Sequence, residues 1–235
     1  MSKEKNSTDL NRNGNEKYLP IITGLFVAVL LISNIASVKI TQLGWLVLDA
    51  GTIIFPLSYI FGDILTEVYG YRRARKVIWT GFASALLMSI VFLIVGMLPS
   101  EASWTGQAAY DSILGVVPRI VIASLIAYFA GEFSNSFVLA KMKIRSKGKN
   151  LWQRTIGSTF VGQAVDTAIF ATIAFLGTMP FDVFIMLIIS NYIFKVSVEV
   201  LFTPVTYFVV NFLKKEENSD VFDTDTNFSP FAVED

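Results

Sequence analysis

The stretch VIWTGFASALLMSIVFLIVGMLPS, residues 77–100, decides the fold: it runs 24 residues without an Asp, Glu, Lys or Arg. A helix needs about 20 such residues to cross the ~30 Å hydrocarbon core of a bilayer. The apolar part of a signal peptide is shorter, typically ~7–15 residues, so the stretch reads as a membrane span. Directly before it stands YRRARK, residues 71–76. Such a cluster marks a cytoplasmic flank under the positive-inside rule.

Working outward, Leu19–Val38 is a second uncharged run, of 20 residues. Four further apolar stretches, Trp45–Tyr69, Arg119–Ala140, Thr155–Thr178 and Asp182–Leu213, carry a few charges each. Pro56 and Pro204 are expected to kink or break the second and sixth of the six spans, because proline removes a backbone donor. The sixth is long enough to tilt or to run on into the cytoplasm. The composition agrees: 53% of the 235 residues are hydrophobic and 16% are charged, against about 25% charged in soluble domains.

The loops set the orientation. Lys3, Lys5, Arg12 and Lys17 precede the first span, Arg72, Arg73, Arg75 and Lys76 follow the second, Lys141–Arg154 follows the fourth, and Lys214 and Lys215 follow the sixth. These groups hold 16 of the 19 basic residues, and six spans put them all on one side. The expectation is an all-α, multi-pass membrane bundle with both termini cytoplasmic. Residues 1–17 read as a disordered N-terminus, 18–213 as the transmembrane domain, and 214–235 as an acidic cytoplasmic tail. Whether that tail is solvated or docks on the cytoplasmic face stays open, since it carries Phe222, Phe228 and Phe231 among its acids.

There is no Cys and no His. This excludes disulfides, Cys/His zinc sites and a Ser-His-Asp triad, and no catalytic residue, metal or other cofactor is expected. The formal net charge is zero, which gives no field for a nucleic acid. The chain has no Gly-x-x-x-x-Gly-Lys-Ser/Thr phosphate loop, so drive must come from an ion gradient, a partner ATPase module or metabolic trapping. A second copy or such an energising module stays open as a partner beside the lipid bilayer.

Charges inside the spans are the functional candidates, because an Asp or Lys at a helix centre costs about 2.5–3.5 kcal/mol on insertion. Asp63 and Glu67 are four apart on one face. They form a salt-bridged helix end or cytoplasmic gate with Arg72 and Arg73, or they reach a solute. Lys195 and Glu199 are also four apart, with Asn191 one turn earlier. They pair with each other, or Lys195 neutralises a carboxylate on another helix. Asp166, three residues after Gln163, either takes Lys195 or Arg119 or binds a solute. Glu132, Asn135 and Ser136 make a polar face in the fourth span. Asn34 reads as an interhelical hydrogen-bonding group, and Trp45, Trp79 and Trp104 read as interfacial anchors. A pocket of carboxylates and amides suits a small polar solute. It suits a guanine-like edge well, since a carboxylate accepts from a ring N–H and an exocyclic amine together; this chemistry alone does not single that solute out.

The stretch Gly51–Tyr71, GTIIFPLSYIFGDILTEVYGY, resembles the signature of the queuosine precursor transporters, also called vitamin-uptake-like transporters. The resemblance continues through Trp79, Trp104–Tyr110, Ala130–Ser136 and Arg154–Thr159. It takes in Gln163 and Asp166 and ends around Lys195, Glu199 and Pro204. It implies a bacterial inner-membrane importer of 7-cyano-7-deazaguanine or its aminomethyl relative, salvaged for queuosine in tRNA. It also implies a six-helix bundle similar to the substrate-binding subunits of energy-coupling-factor transporters. On this reading Glu132, Asn135, Gln163, Asp166 and Asn191 contact the deazapurine, Lys195 and Glu199 set the charge balance, and Asp63 and Glu67 hold the gate or touch the solute. Uptake of another vitamin or nucleobase is the alternative. An intramembrane enzyme is disfavoured by the missing His and Cys, and a purely structural subunit would not need Asp166 buried.

Overall fold

The computed structural model describes residues 16–223 and 226–231. It is a bundle of α-helices: α1 (Leu19–Ala36), α2 (Pro56–Tyr69), α3 (Tyr71–Met97), the short α4 (Gln107–Ile113), α5 (Val117–Ser146), α6 (Leu151–Phe175) and α7 (Phe181–Glu216). Among the described residues, α1, α3, α5 with α4 leading into it, α6 and α7 are long and apolar enough to cross a membrane. Their outward faces carry exposed large apolar side chains such as Leu25, Leu87, Ile126, Phe160 and Phe208. Polar side chains lie inside, the arrangement lipid demands.

The expected second span is corrected. Residues 40–49 are not helical but form an antiparallel hairpin, β1 (Ile40–Leu43) and β2 (Leu46–Asp49), with Leu43 opposite Leu46. Gly44 sits at φ +62° in the two-residue turn, where a side chain would be strained and glycine is not. Asp49 then caps a 3-10 turn, Ala50–Ile53, by accepting from the Thr52 amide. Pro56 does not kink a helix here; it stands at the first position of α2, where no backbone donor is required. The resulting α2 has 14 residues, about 21 Å at 1.5 Å per residue.

Pro204 lies within α7 without ending it. With 36 residues, α7 is about 54 Å long, well beyond one bilayer core. The basic links are also largely helical. Residues 71–76 open α3, Lys141–Ser146 close α5, and only residues 147–150 interrupt the chain before α6. A single residue, Gly70 at φ +83°, joins α2 to α3. That left-handed backbone is what glycine tolerates.

Helices α1, α2, α3, α5, α6 and α7 alternate in direction, so the start of α1, α3 and α6 meets the end of α2, α5 and α7. This basic end is tied by Glu217, which accepts from the Tyr18 amide (2.7 Å) and the Tyr69 hydroxyl (3.1 Å). The described part of the tail docks there. Asp223 accepts from the Tyr71 amide at the start of α3 (3.1 and 3.2 Å), an anion at a helix N-terminus. Arg75 donates to the carbonyls of Asn227 and Ser229, and Trp79 Nε1 to that of Pro230. Phe228 packs on Tyr71 and Phe137, and Phe231 on Trp79 and Phe129. Met1–Asn15 and the acids Asp225, Glu234 and Asp235 lie outside the described residues.

Helices α5 and α6 cross at glycines. A Cβ on Gly131 would lie 2.9 Å from the Gly162 carbonyl and 2.7 Å from Asp166 Cβ. Small residues at such a crossing let the backbones approach closely. Gly131→Val is expected to destabilise the fold by about 1–3 kcal/mol, the usual range for overpacking. In thermal unfolding of the purified protein this appears as a lower midpoint, whereas Gly24→Ala, inside α1 with nothing within 4 Å, does not lower it, since glycine within a helix costs about 0.5–1 kcal/mol relative to alanine.

Candidate functional site

Helix α2 is the axis of the bundle, and twelve of its 14 residues are buried. Its neighbours α5, α6 and α7 turn their polar residues toward it, which builds a buried polar column in three tiers along the bundle.

At the basic end Glu67 is the hub. Arg154 grips it with two nitrogens (2.7 and 3.2 Å), Lys214 reaches Oε1 at 2.8 Å, and Lys143 stands 3.5 Å away while donating to the Glu67 backbone carbonyl. The sequence expectation of Arg72 and Arg73 as gate partners is therefore corrected. The partners of Glu67 come from α5, α6 and α7, which the fold brings closer, and Arg73 donates to Glu16 instead. Asp220 of the tail bridges Lys143 (2.8 Å) and Lys214 (2.9 Å). Partial burial pushes its carboxyl up, but the two ammonium groups outweigh this and hold it below the ordinary carboxylate range. A lowered value means that this contact stabilises the fold above the ordinary range and is lost as pH falls through the lowered one.

In the middle tier Asp63 accepts from Asn135 Nδ2 (2.9 Å), and Glu132 accepts from Ser136 (3.2 Å), which also receives from Thr66 (3.2 Å). Glu199 accepts from both Thr159 and Gln163 of α6. Gly62 leaves room for the Glu132 carboxylate, which a Cβ there would strike. The hydroxyls of Tyr59 and Tyr128 stand beside Asp166 and Glu132 without meeting hydrogen-bond geometry.

The third tier lies toward the hairpin. Of the open alternatives, Lys195 pairs with Asp166 of α6 at 2.7 Å rather than with Glu199. Arg119 is not the partner of Asp166, since it donates to the carbonyls of Ile173 and Leu176 at the end of α6. Asn191 donates to Asp49 (2.9 Å), which also accepts from Ser37 (2.7 Å) and Thr52 (2.8 Å). Asp49 was not singled out in the sequence. It sits in a stretch that reads as helix, and only the hairpin turns it inward. Asn34 is likewise corrected: its amide nitrogen bonds the Leu30 carbonyl of its own helix.

Three amides repeat one arrangement. Asn135, Gln163 and Asn191 each commit their nitrogen to a carboxylate, and each keeps its oxygen buried without a partner. Because a carboxylate accepts only, these contacts fix which way each amide faces. Asn34 Oδ1 is also unpartnered. Among the described residues the buried atoms without a partner are six acceptors, counting Glu132 and Asp166, against three hydroxyls, of Tyr59, Tyr128 and Thr167; a buried unpaired acceptor costs about 1–3 kcal/mol.

Between the hairpin and α7 lies a cavity lined by Asn34, Asp49, Phe55, Ser124, Phe170 and Lys195, with about 10 Å³ of free space. That admits about one water molecule. A larger molecule enters only if the surrounding elements part. Among the described residues no group of three or more acidic side chains could hold a metal ion.

Comparison with known proteins places this geometry. The profile of a family described as "Putative vitamin uptake transporter" matches residues 49–209. A "Probable queuosine precursor transporter" of Bacillus subtilis is 32% identical over 200 residues, covering 83% of this chain and 87% of its own. A protein of the same description from Haemophilus influenzae is 29% identical, covering 71% and 70%. The "Queuosine precursor transporter" of Escherichia coli is 28% identical, covering 70% and 74%. No solved structure matches the chain.

Glu67→Gln removes the anion from three cations, two of them buried. Breaking a buried ion pair on one side costs about 3–5 kcal/mol. Thermal unfolding of the purified variant is expected to show a much lower midpoint, whereas Asp220→Asn, at a half-exposed contact, gives a small change.

Proposed function

The chain belongs to the vitamin uptake transporter family, and from that premise we propose that it imports a queuosine precursor, 7-cyano-7-deazaguanine or 7-aminomethyl-7-deazaguanine, across the cell inner membrane. It is a multi-pass membrane transporter and not an enzyme. The names of its relatives supply the solute. The observation that carries the reading to this chain is the set of unpartnered amide oxygens on Asn135, Gln163 and Asn191. A deazaguanine offers a ring N–H, an exocyclic amine and a pyrrole N–H, donors of the kind that amide oxygens accept. Glu132 and Asp166 add carboxylate oxygens, Lys195 and Glu199 set the charge balance, and Asp63 steadies Asn135. Glu67 holds the basic end closed.

In this reading residues 18–213 form the transporter domain, with six spans similar in arrangement to energy-coupling-factor substrate-binding subunits. The sixth crossing is made by the hairpin, the 3-10 turn and α2 together. The alternating helices gather the basic ends on one side, which supports cytoplasmic termini.

The test is uptake of labelled 7-cyano-7-deazaguanine into cells that cannot make it. Cells carrying this chain are expected to accumulate label, and background uptake overturns the assignment in favour of another vitamin or nucleobase. Glu132→Gln, Asp166→Asn and Glu199→Gln each replace an acceptor by a donor within the column. Each is expected to reduce uptake at least about tenfold, the scale of one mispaired buried group. If all three transport as wild type, the site lies elsewhere.

A further inference from the structure

The cavity is walled by α1, the segment Asp49–Phe55, α5, α6 and α7, and it mixes polar side chains with two rings. Asn34, Asp49, Thr52 and three serines make most of its wall, and Phe55 and Phe170 supply the rest beside Lys195. The Lys195 ammonium lies over both rings, 4.5 Å from the centroid of Phe55 and 5.7 Å from that of Phe170. It is already paired with Asp166, so the rings are not needed to neutralise it. Each ring is braced by aromatic neighbours outside the cavity: Phe55 by Tyr128 at 5.8 Å and 87°, Phe170 by Phe175 at 5.6 Å and 88°. Edge-to-face contacts of this kind fix ring orientation. An unpartnered acceptor, Asn34 Oδ1, borders the same space and is buried.

We propose that Phe55 and Phe170 are the ring-stacking residues of the transport site, and that the Lys195 ammonium occupies in this structure the place taken by the ring of the solute. This deepens the transporter reading and rests on it. Two ring faces beside hydrogen-bonding groups favour a flat π-system over a hydrated, non-planar solute of the same hydrogen-bonding capacity. Stacking on the ring face leaves the edge of the solute free for Asn34 Oδ1, which borders the same cavity. As the solute enters, the ammonium moves off the rings and stays with Asp166, so the Lys195–Asp166 pair is retained while the slot changes occupant. The rings come from different parts of the chain, Phe55 from the turn before α2 and Phe170 from α6. A stacked solute therefore bridges the hairpin region and the α5–α6 pair.

The experiment uses the full chain purified in detergent and titrated calorimetrically with 7-cyano-7-deazaguanine. Phe55→Leu and Phe170→Leu are each expected to weaken binding roughly 10- to 100-fold, the range for loss of one base–aromatic stack. Phe133→Leu, equally buried but outside the cavity, controls for general loosening and is expected to bind as wild type. Phe170→Trp keeps a ring in the slot and adds a reporter. The four native tryptophans are all exposed, from 39% to 61%, so quenching on titration beyond that of wild type reports stacking at this position. Leucine variants that bind as tightly as wild type, or a Phe170→Trp protein that binds without added quenching, overturn the assignment of the rings while leaving the transporter reading intact. A wild-type protein that binds no deazapurine overturns that reading and the inference with it.

Discussion

Glu67 is the point on which the closed bundle depends. It lies near the end of α2 and receives charge from α5, α6 and α7. One carboxylate therefore fixes the relative positions of four helices where they leave the apolar region. The bidentate grip of Arg154 is directional as well as strong. Lys143 and Lys214 carry the remaining positive charge, and the tail answers it with Asp220. Without this anion, three cations would face one another at the end of a buried helix.

The same logic, weaker and repeated, organises the interior. Each amide of the column is oriented by a carboxylate that can only accept, so each turns its oxygen inward. A soluble core would satisfy such atoms or replace them with carbon. Here several of them stay unpaired, and the cavity that Asn34 borders is too small for the proposed solute. The hairpin and α7 meet through Asn191 and Asp49 and through Ser190, which accepts from the Val47 amide at 3.3 Å.

Much of this was legible in the sequence because the cost of charge in lipid is large. Two uncharged runs and the sorting of Lys and Arg outlined the bundle, and the charges left inside marked the polar column. What stayed hidden is what depends on close geometry. Trp45–Tyr69 has the composition of a span, and nothing in its hydropathy separates the hairpin from the helix. Gly44, in the turn of the hairpin, and Pro56, at the start of α2, are the local signals. Asp49 was therefore missed. The choice of Asp166 over Glu199 as partner of Lys195 is a matter of helix rotation, which spacing within one helix does not fix. Sequence proximity pointed Glu67 toward Arg72 and Arg73, whereas its partners lie more than 70 residues away.

The shortness and burial of α2 also bear on how the protein is made. A helix of 14 residues carrying Asp63 and Glu67 does not partition into lipid on its own, since each carboxylate costs about as much as several leucines return. Its counter-charges, Lys143, Arg154 and Lys214, are synthesised after it. During biogenesis α2 must therefore wait in a protected, partly hydrated place until the second half of the chain arrives. The burial of this segment is therefore coupled to the arrival of α5, α6 and α7, which carry those charges.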